Sequence, residues 1–290
     1  MRVEEHTITI EHVPVFYREG VTDAAGEPPL PGVARPAPRA PGPPALYLHE
    51  ALTSSDDWLP FLERTGGIAP DLIGFGRSGK GGHLDYSPAG LTTFVERFLG
   101  ELELERVKLV GHGWGAAIAL LLAARDPRRI ERLVLIDAVP LLVGVRWPRL
   151  VEMMRKPLLG ELLMGSITRT MLARHLRRGA VRPGAWSDAE LRAVWDQFDQ
   201  GTQRALLRLH RRVDETRLAE LGSELESLEL PVLILWGERD SWFAPELAER
   251  YADRLPRASV SRVAEAGHWP WRDDPAAIAI VAEFLAKAEP

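Results

Sequence analysis

The chain has 290 residues, 46% of them hydrophobic and 27% charged, which is enough apolar surface for one large core, or for one core carrying an inserted lid. A formal charge of −5 and a pI near 6.0 leave no concentrated basic face for nucleic acid, and no run of about 18 apolar residues could span a bilayer. The chain contains no cysteine, which excludes disulfides and thiol chemistry; the N-terminal stretch lacks the basic start, apolar run and cleavage site of a secretory signal, so the expected location is cytoplasmic.

In chain order, Thr7 to Glu11 and Val13 to Tyr17 alternate or run apolar over short lengths, which predicts an antiparallel hairpin at a sheet edge. Residues 21–44 are rich in Pro, Ala and Gly and can neither continue a sheet nor pack a helix; they read as a loop insertion. From Ala45 the rhythm changes to short apolar strands, "ALYLH", "GIAP", "VKLVG", "RLVLIDA", "PVLILWG" and "SVSRV". Amphipathic stretches lie between them: Asp56 to Arg64 (its first part a turn), Pro88 to Leu104, Trp114 to Arg125, Ala244 to Leu255 and Pro275 to Lys287. Strands apolar on both faces, alternating with helices, predict a parallel sheet covered on both sides.

The alternation breaks once, over residues 140–225, where helical patterns follow one another without a strand. "SDAE" at Ser187 to Glu190 has the form of a capping box and predicts a helix start. The segment holds four of the five methionines (Met153, Met154, Met164, Met171) and the tryptophans Trp147, Trp186 and Trp195, as a lid packed on a sheet requires, or as a pliable apolar pocket beneath it would. It carries fifteen basic against ten acidic residues, which fits a solvated helix surface. Residues 1–139 and 226–290 then form the core and 140–225 a helical cap.

Four motifs converge on one family. "APDLIGFGRSGK" begins at Ala69; "VGHGWGAA" contains Gly111, His112, Gly113, Trp114 and Gly115; "WGERDSW" puts Asp240 just beyond a strand; "AEAGHWPW" puts His268 after the last strand. In order and spacing these resemble the α/β-hydrolases with a helical cap, in the branch of haloalkane dehalogenases, epoxide hydrolases and related esterases. The resemblance implies an α/β-hydrolase fold, a mostly parallel sheet with helices on both faces and a helical cap inserted after the sixth strand. It also implies a nucleophile elbow at Gly111 to Gly115, an acid at Asp240 that orients His268, and His268 as base. Asp137, in "LIDAVP", is the alternative acid.

Two positions depart from the family pattern. Gly113 stands where the nucleophile belongs and has no side chain to form a covalent intermediate, although glycine suits the positive φ of an elbow. Glu50 follows His49 where the family commonly has His-Gly beside the oxyanion donors, and its side chain is expected to point to solvent, because inward it would repel a developing oxyanion. The backbone N–H of Trp114 remains the other expected donor, and Trp114, Glu50, His49 and His112 are placed around the oxyanion and substrate pocket. The four tyrosines, Tyr17, Tyr47, Tyr86 and Tyr251, all lie outside the cap, where epoxide hydrolases keep the pair that polarises the epoxide oxygen, so epoxide opening is disfavoured. Ser54 and Ser55 read as a helix-capping turn rather than as substitute nucleophiles.

The leading expectation is hydrolysis of a small apolar ester, haloalkane or related substrate, with His268 activating a water in the room left at Gly113. The alternatives are a non-catalytic protein that binds a small apolar molecule, and an ordinary hydrolase inactivated at residue 113. No metal is expected, because His49, His112 and His268 show no coordinating spacing with carboxylates. No organic cofactor is expected either, since "GHGWG" lacks the rest of a dinucleotide fingerprint. The protein would act as a monomer or homodimer.

Overall fold

The computed structural model describes residues 1–21, 42–145 and 147–287. Most of the Pro-rich insertion read at 21–44 therefore lies outside the described residues. Among the described residues eight strands form one sheet in the order β1-β2-β4-β3-β5-β6-β7-β8. The N-terminal hairpin, β1 (Arg2–Ile10) and β2 (Val13–Val21), is antiparallel and longer than its alternation suggested. β2 joins β4 (Gly67–Pro70) antiparallel, and the remaining neighbours, β4 with β3 (Ala45–Leu48), then β5 (Val107–His112), β6 (Ile130–Ile136), β7 (Val232–Gly237) and β8 (Ala258–Val263), are parallel. β7 and the 107–112 strand are buried almost throughout, as strands covered on both faces must be, whereas β8, at the edge, keeps exposed positions.

Helices cover both faces. α1 (Leu59–Thr65) follows a short 3-10 turn at Ser55–Trp58, and α2 (Pro88–Glu101) starts with Ser87 accepting the Gly90 N–H. α3 (Trp114–Arg125) is Ala- and Leu-rich and buried along most of its length, so it packs tightly against the sheet. After β6 come six helices among the described residues before the chain returns to β7: α4 (Arg149–Arg155), α5 (Leu159–Ser166), α6 (Arg169–Arg178), α7 (Asp188–Gln197), α8 (Gln200–Arg211) and α9 (Glu215–Leu225). The capping box at Ser187 and Glu190 forms in both directions and starts α7. α10 (Leu247–Ala252), α11 (Pro270–Asp273) and α12 (Ala276–Ala286) complete the core layer. Among the described residues no helix is long and apolar enough to cross a membrane.

The helices after β6 are fastened to the core by polar contacts. Asp273 accepts the backbone N–H groups of Val181 and Arg182 on one side and of Gly267 on the other, and the His268 N–H donates to the Gly179 carbonyl at 2.6 Å. Arg272 bridges Asp57 of the core, at 2.8 Å, and Glu190 of α7, at 2.6 Å, while its guanidinium lies over the Trp186 ring. Lys80 ties the loop after β4 to the Gln197 carbonyl and to Asp199.

Candidate active site

The turn from β5 into α3 carries Gly113 at φ +53°, a conformation that L side chains rarely adopt. Its neighbour Gly115 is needed for a different reason: a Cβ there would lie 2.0 Å from the Leu48 carbonyl oxygen, so strand and helix approach too closely for any side chain. The turn is held by Gly113 N–H donating to the Ile136 carbonyl and by the Ala117 and Val139 N–H groups donating to the Gly113 carbonyl.

Parallel pairing of β3 with β5 sets Leu48 opposite Gly111, so the residues just beyond, Glu50 and Gly113, emerge side by side. The expectation that Glu50 faces solvent is wrong. Glu50 is buried, and a Cβ built on Gly113 would lie 1.6 Å from its Oε2 and 2.7 Å from its Cδ. The carboxyl thus fills the space an elbow side chain would use, and the room expected there for a water is taken. Oε2 accepts the Trp114 N–H at 2.7 Å, and the Ala51 N–H also bonds this carboxyl. Two backbone donors, one of them at the start of α3 and the other in the turn after β3, offset the burial of a charged group and give it a reason to turn inward.

Burial still dominates. It raises the Glu50 pKa from 4.5 to about 7, against the lowering effects of His268 and of the Trp114 and Ala51 N–H groups; Asp57 adds to the rise. A carboxyl that binds its proton more tightly when folded contributes stability that is full below its unfolded pKa and is lost as pH rises through the folded one. Stability is therefore expected to fall between pH 4.5 and about 7 on this group's behalf, by about 3 kcal/mol at 1.36 kcal/mol per unit. Glu50→Gln should remove that slope and leave the variant more stable than the parent at pH 8 but not at pH 4.5. Urea denaturation of both proteins at the two pH values checks this.

His268, in the loop after β8, is fully buried, and its Nδ1 lies 2.8 Å from Asp240 Oδ2. Asp240 Oδ1 in turn accepts the N–H groups of Trp242 and Phe243, which fix the carboxylate. This arrangement makes Nδ1 the protonated nitrogen and leaves Nε2, which has no hydrogen-bond partner among the described residues, basic. Asp137, at φ +41° beyond β6, does not take the acid's place. One of its oxygens accepts the Gly237 N–H at 3.0 Å and the carboxyl leans on Asp240; burial first and the Asp240 charge second hold its pKa well above the usual carboxylate range. Burial beside a second carboxyl thus favours the neutral form of Asp137. Asp137, Asp240 and His268 bring one ligand atom each within 4.8 Å, and within this group His268 Nδ1 and Asp240 Oδ2 are engaged in their mutual hydrogen bond.

Above Glu50 lies a cavity of about 340 Å³, walled by Trp114, Met154, Met164, Leu172, Phe198 and Phe243 among others and including Glu50 itself. Its polar side chains are Glu50, Arg174, His175, Arg178 and His210. His210, on α8, gives its Nδ1 hydrogen to the Leu206 carbonyl at 2.8 Å and receives the Trp114 indole N–H on Nε2 at 3.3 Å. His175 stacks on Trp242, which stacks on His268. Burial is the main cause that lowers the pKa of both His175 and His210 to about 4, so both are neutral at pH 7.

Of the residues expected around the pocket, Glu50 and Trp114 line the cavity. His49 and His112 are buried behind it: His49 links the Glu50 carbonyl to the Leu72 N–H, and His112 Nε2 meets the His268 carbonyl at 2.6 Å. Ser54 caps the turn that precedes α1, and Ser55 is held through its N–H by Asp71. The sequence reading missed His210, whose only signal was a polar residue four positions after Leu206 on an apolar helix face, and it missed His175 and the clamp formed by Asp57, Arg272 and Glu190.

A family model described as alpha/beta hydrolase fold matches residues 44–275. A haloalkane dehalogenase from Mesorhizobium japonicum is 31% identical over 261 residues, covering 82% of each chain. A 2-hydroxymuconate semialdehyde hydrolase from Pseudomonas sp. strain CF600 is 28% identical over 233 residues, covering 77% of each. Among solved structures, a loop variant of a haloalkane dehalogenase from Bradyrhizobium elkanii superposes with a TM-score of 0.80 at 23% identity, covering 98% of this chain and 97% of that one.

Proposed function

Because the chain belongs to the α/β-hydrolase fold family, we propose that it hydrolyses a small, largely apolar molecule held under the cap, with His268 as general base and Asp240 as the group that orients it. The observation that carries this reading is the His268–Asp240 pair, which leaves a buried basic Nε2. Activation of a water needs such a nitrogen, neutral and held in one tautomer. The cavity supports the choice of substrate, since aliphatic, aromatic and Met side chains together form most of its wall and would bury an alkyl or aryl group well. The haloalkane dehalogenase and semialdehyde hydrolase relatives point to the same broad class of reaction.

A second reading, that the protein binds such a molecule without transforming it, is favoured by one fact: the Trp114 N–H, which would hold a developing oxyanion, is already engaged by Glu50. Turnover of a panel of 1-bromohexane, hexyl acetate and 1,2-epoxyhexane separates the two. Under the hydrolytic reading one of these is consumed, and Asp240→Asn lowers kcat at least a hundredfold by spoiling the tautomer of His268. An inert parent would leave the binding reading.

A further inference from the structure

We propose that Glu50, carried in from the loop after β3, is the nucleophile of this site and forms an ester with a saturated carbon that bears a leaving group. The proposal rests on the hydrolytic reading above only for the second half of the cycle, in which His268 drives water onto that ester.

The position of the carboxyl is the first argument. An elbow nucleophile is recognised by where its reactive atoms stand, above the N-terminus of the helix that follows. Here the Glu50 carboxyl overlaps that place, with Oε2 1.6 Å and Cδ 2.7 Å from where the Cβ of residue 113 would be. Glycine at 113 is the condition for this, since any larger residue would exclude the carboxyl. The two departures from the family pattern therefore form one exchange, in which the elbow gives up its side chain and the adjoining loop supplies one.

The anchoring is the second argument. The N–H groups of Trp114 and Ala51 hold the carboxyl, and they would remain useful through every later step. With the alkyl group on Oε1, the Trp114 N–H on Oε2 faces the ester carbonyl oxygen, and when water adds it faces an oxyanion. A donor that seemed lost to the reaction is thus already on the atom that needs it. The group also lines the cavity of about 340 Å³, so a bound molecule meets it directly, and it lies close enough to His268 for the charge of each to be felt by the other.

The chemistry selects the substrate. A carboxylate displaces a leaving group at saturated carbon to give a stable ester, whereas attack on an ordinary ester would give an anhydride. In the first step a lone pair of the Glu50 carboxylate forms the C–O bond while the bond from carbon to the leaving group breaks, and the leaving group departs with that electron pair as an anion. It receives no proton from the two cavity histidines. The His210 hydrogen is committed to the Leu206 carbonyl, its Nε2 is an acceptor, and His175 is neutral. The leaving group must therefore be one that is stable unprotonated, such as a halide, and an epoxide is a poor match. In the second step His268 Nε2 takes a proton from water, the water oxygen adds to the Glu50 ester carbonyl, and the acyl C–O bond breaks. The departing alkoxide takes the proton back from His268, so an alcohol leaves and Glu50 is left as the carboxylic acid; this acid then gives up its proton to solvent by way of His268 Nε2, which restores the carboxylate and releases one proton for each leaving anion.

The test is alkylation of the His268→Ala protein by 1-bromohexane, read by intact mass and peptide mapping. Without the base the ester should persist, giving a gain of one hexyl group located on Glu50. His268→Ala/Glu50→Gln, confirmed to be folded by its thermal melt, should gain none, and 1,2-epoxyhexane should label His268→Ala at least tenfold less. Absence of the adduct on Glu50, or an equal adduct in the double variant, overturns the proposal even if the parent releases hexanol, an outcome that would leave the hydrolytic reading standing. An adduct on Glu50 of a parent that never releases hexanol supports Glu50 and overturns the role given to His268. Equal labelling by the epoxide overturns the assignment of the leaving group.

Discussion

Gly113→Asp alone is expected to damage the protein, and adding Glu50→Gly to it is expected to repair most of the damage. The new Cβ would stand 1.6 Å from Glu50 Oε2, so the Glu50 carboxyl must leave its two N–H donors and find another place in a packed interior. To this is added a backbone at φ +53°, worth roughly 1–3 kcal/mol against a non-glycine residue, and a second carboxylate brought beside the first. The single variant should lose about 3 kcal/mol or more of stability, since overpacking and strain add. Glu50→Gly removes the collision and the like charge together, so the coupling between the two changes should reach about 2 kcal/mol. Urea denaturation of the parent, both single variants and the double variant measures it. Additive effects would mean that the two side chains do not compete for the same space. Turnover should follow the same pattern, low in Gly113→Asp and recovered in the pair, because the double variant moves one carboxylate from loop to elbow and leaves the base untouched.

His268→Ala is expected to lower turnover by about a thousandfold or more, the scale on which loss of a general base is felt in acyl-transfer enzymes, while changing affinity for a non-reacting ligand less than threefold. The separation follows from placement. His268 is fully buried with Trp242 stacked on it and Asp240 on its Nδ1, and it is absent from the cavity wall formed by residues such as Met154, Leu172 and Phe198. Removing the imidazole takes away proton transfer without taking away the surface that holds an alkyl chain. Calorimetric binding of 1-hexanol to parent and variant, beside steady-state rates with 1-bromohexane, gives both numbers. Equal loss of both would show that His268 builds the pocket rather than the reaction.

The order of strands and helices was readable because each strand is a short apolar run ended by a turn, and each buried helix has the matching period. "VLILWG" can only be a central strand, and the stretch after β6 can only be helical. Boundaries were less legible where local backbone decides. The stretch from Asp56 opens with a turn, as expected, here 3-10 over Ser55–Trp58, but the helix expected from Pro88 to Leu104 stops at Glu101, two residues before Glu103 turns to φ +53°. Asp240 and His268 were legible from spacing relative to strand ends, and the structure places them 2.8 Å apart. Glu50 was not. Read alone, a glutamate after a strand belongs in water, because burying a carboxylate is unfavourable. Only the pairing of β3 with β5 puts it over a glycine, where two backbone N–H groups make burial tolerable. The information was present as two separate oddities, Glu50 and Gly113, and it takes a third dimension to see that each explains the other.

Asp273 has a consequence for how this corner can move. Its carboxylate gathers backbone N–H groups from Val181 and Arg182, just beyond α6, and from the loop that carries His268, and the His268 N–H is itself tied to Gly179. The Ser241 hydroxyl, next to Asp240, donates to the Arg178 carbonyl at the same place. The two loops that hold the imidazole and its carboxylate therefore share one anchor, and a displacement of the end of α6 would carry both of them with it.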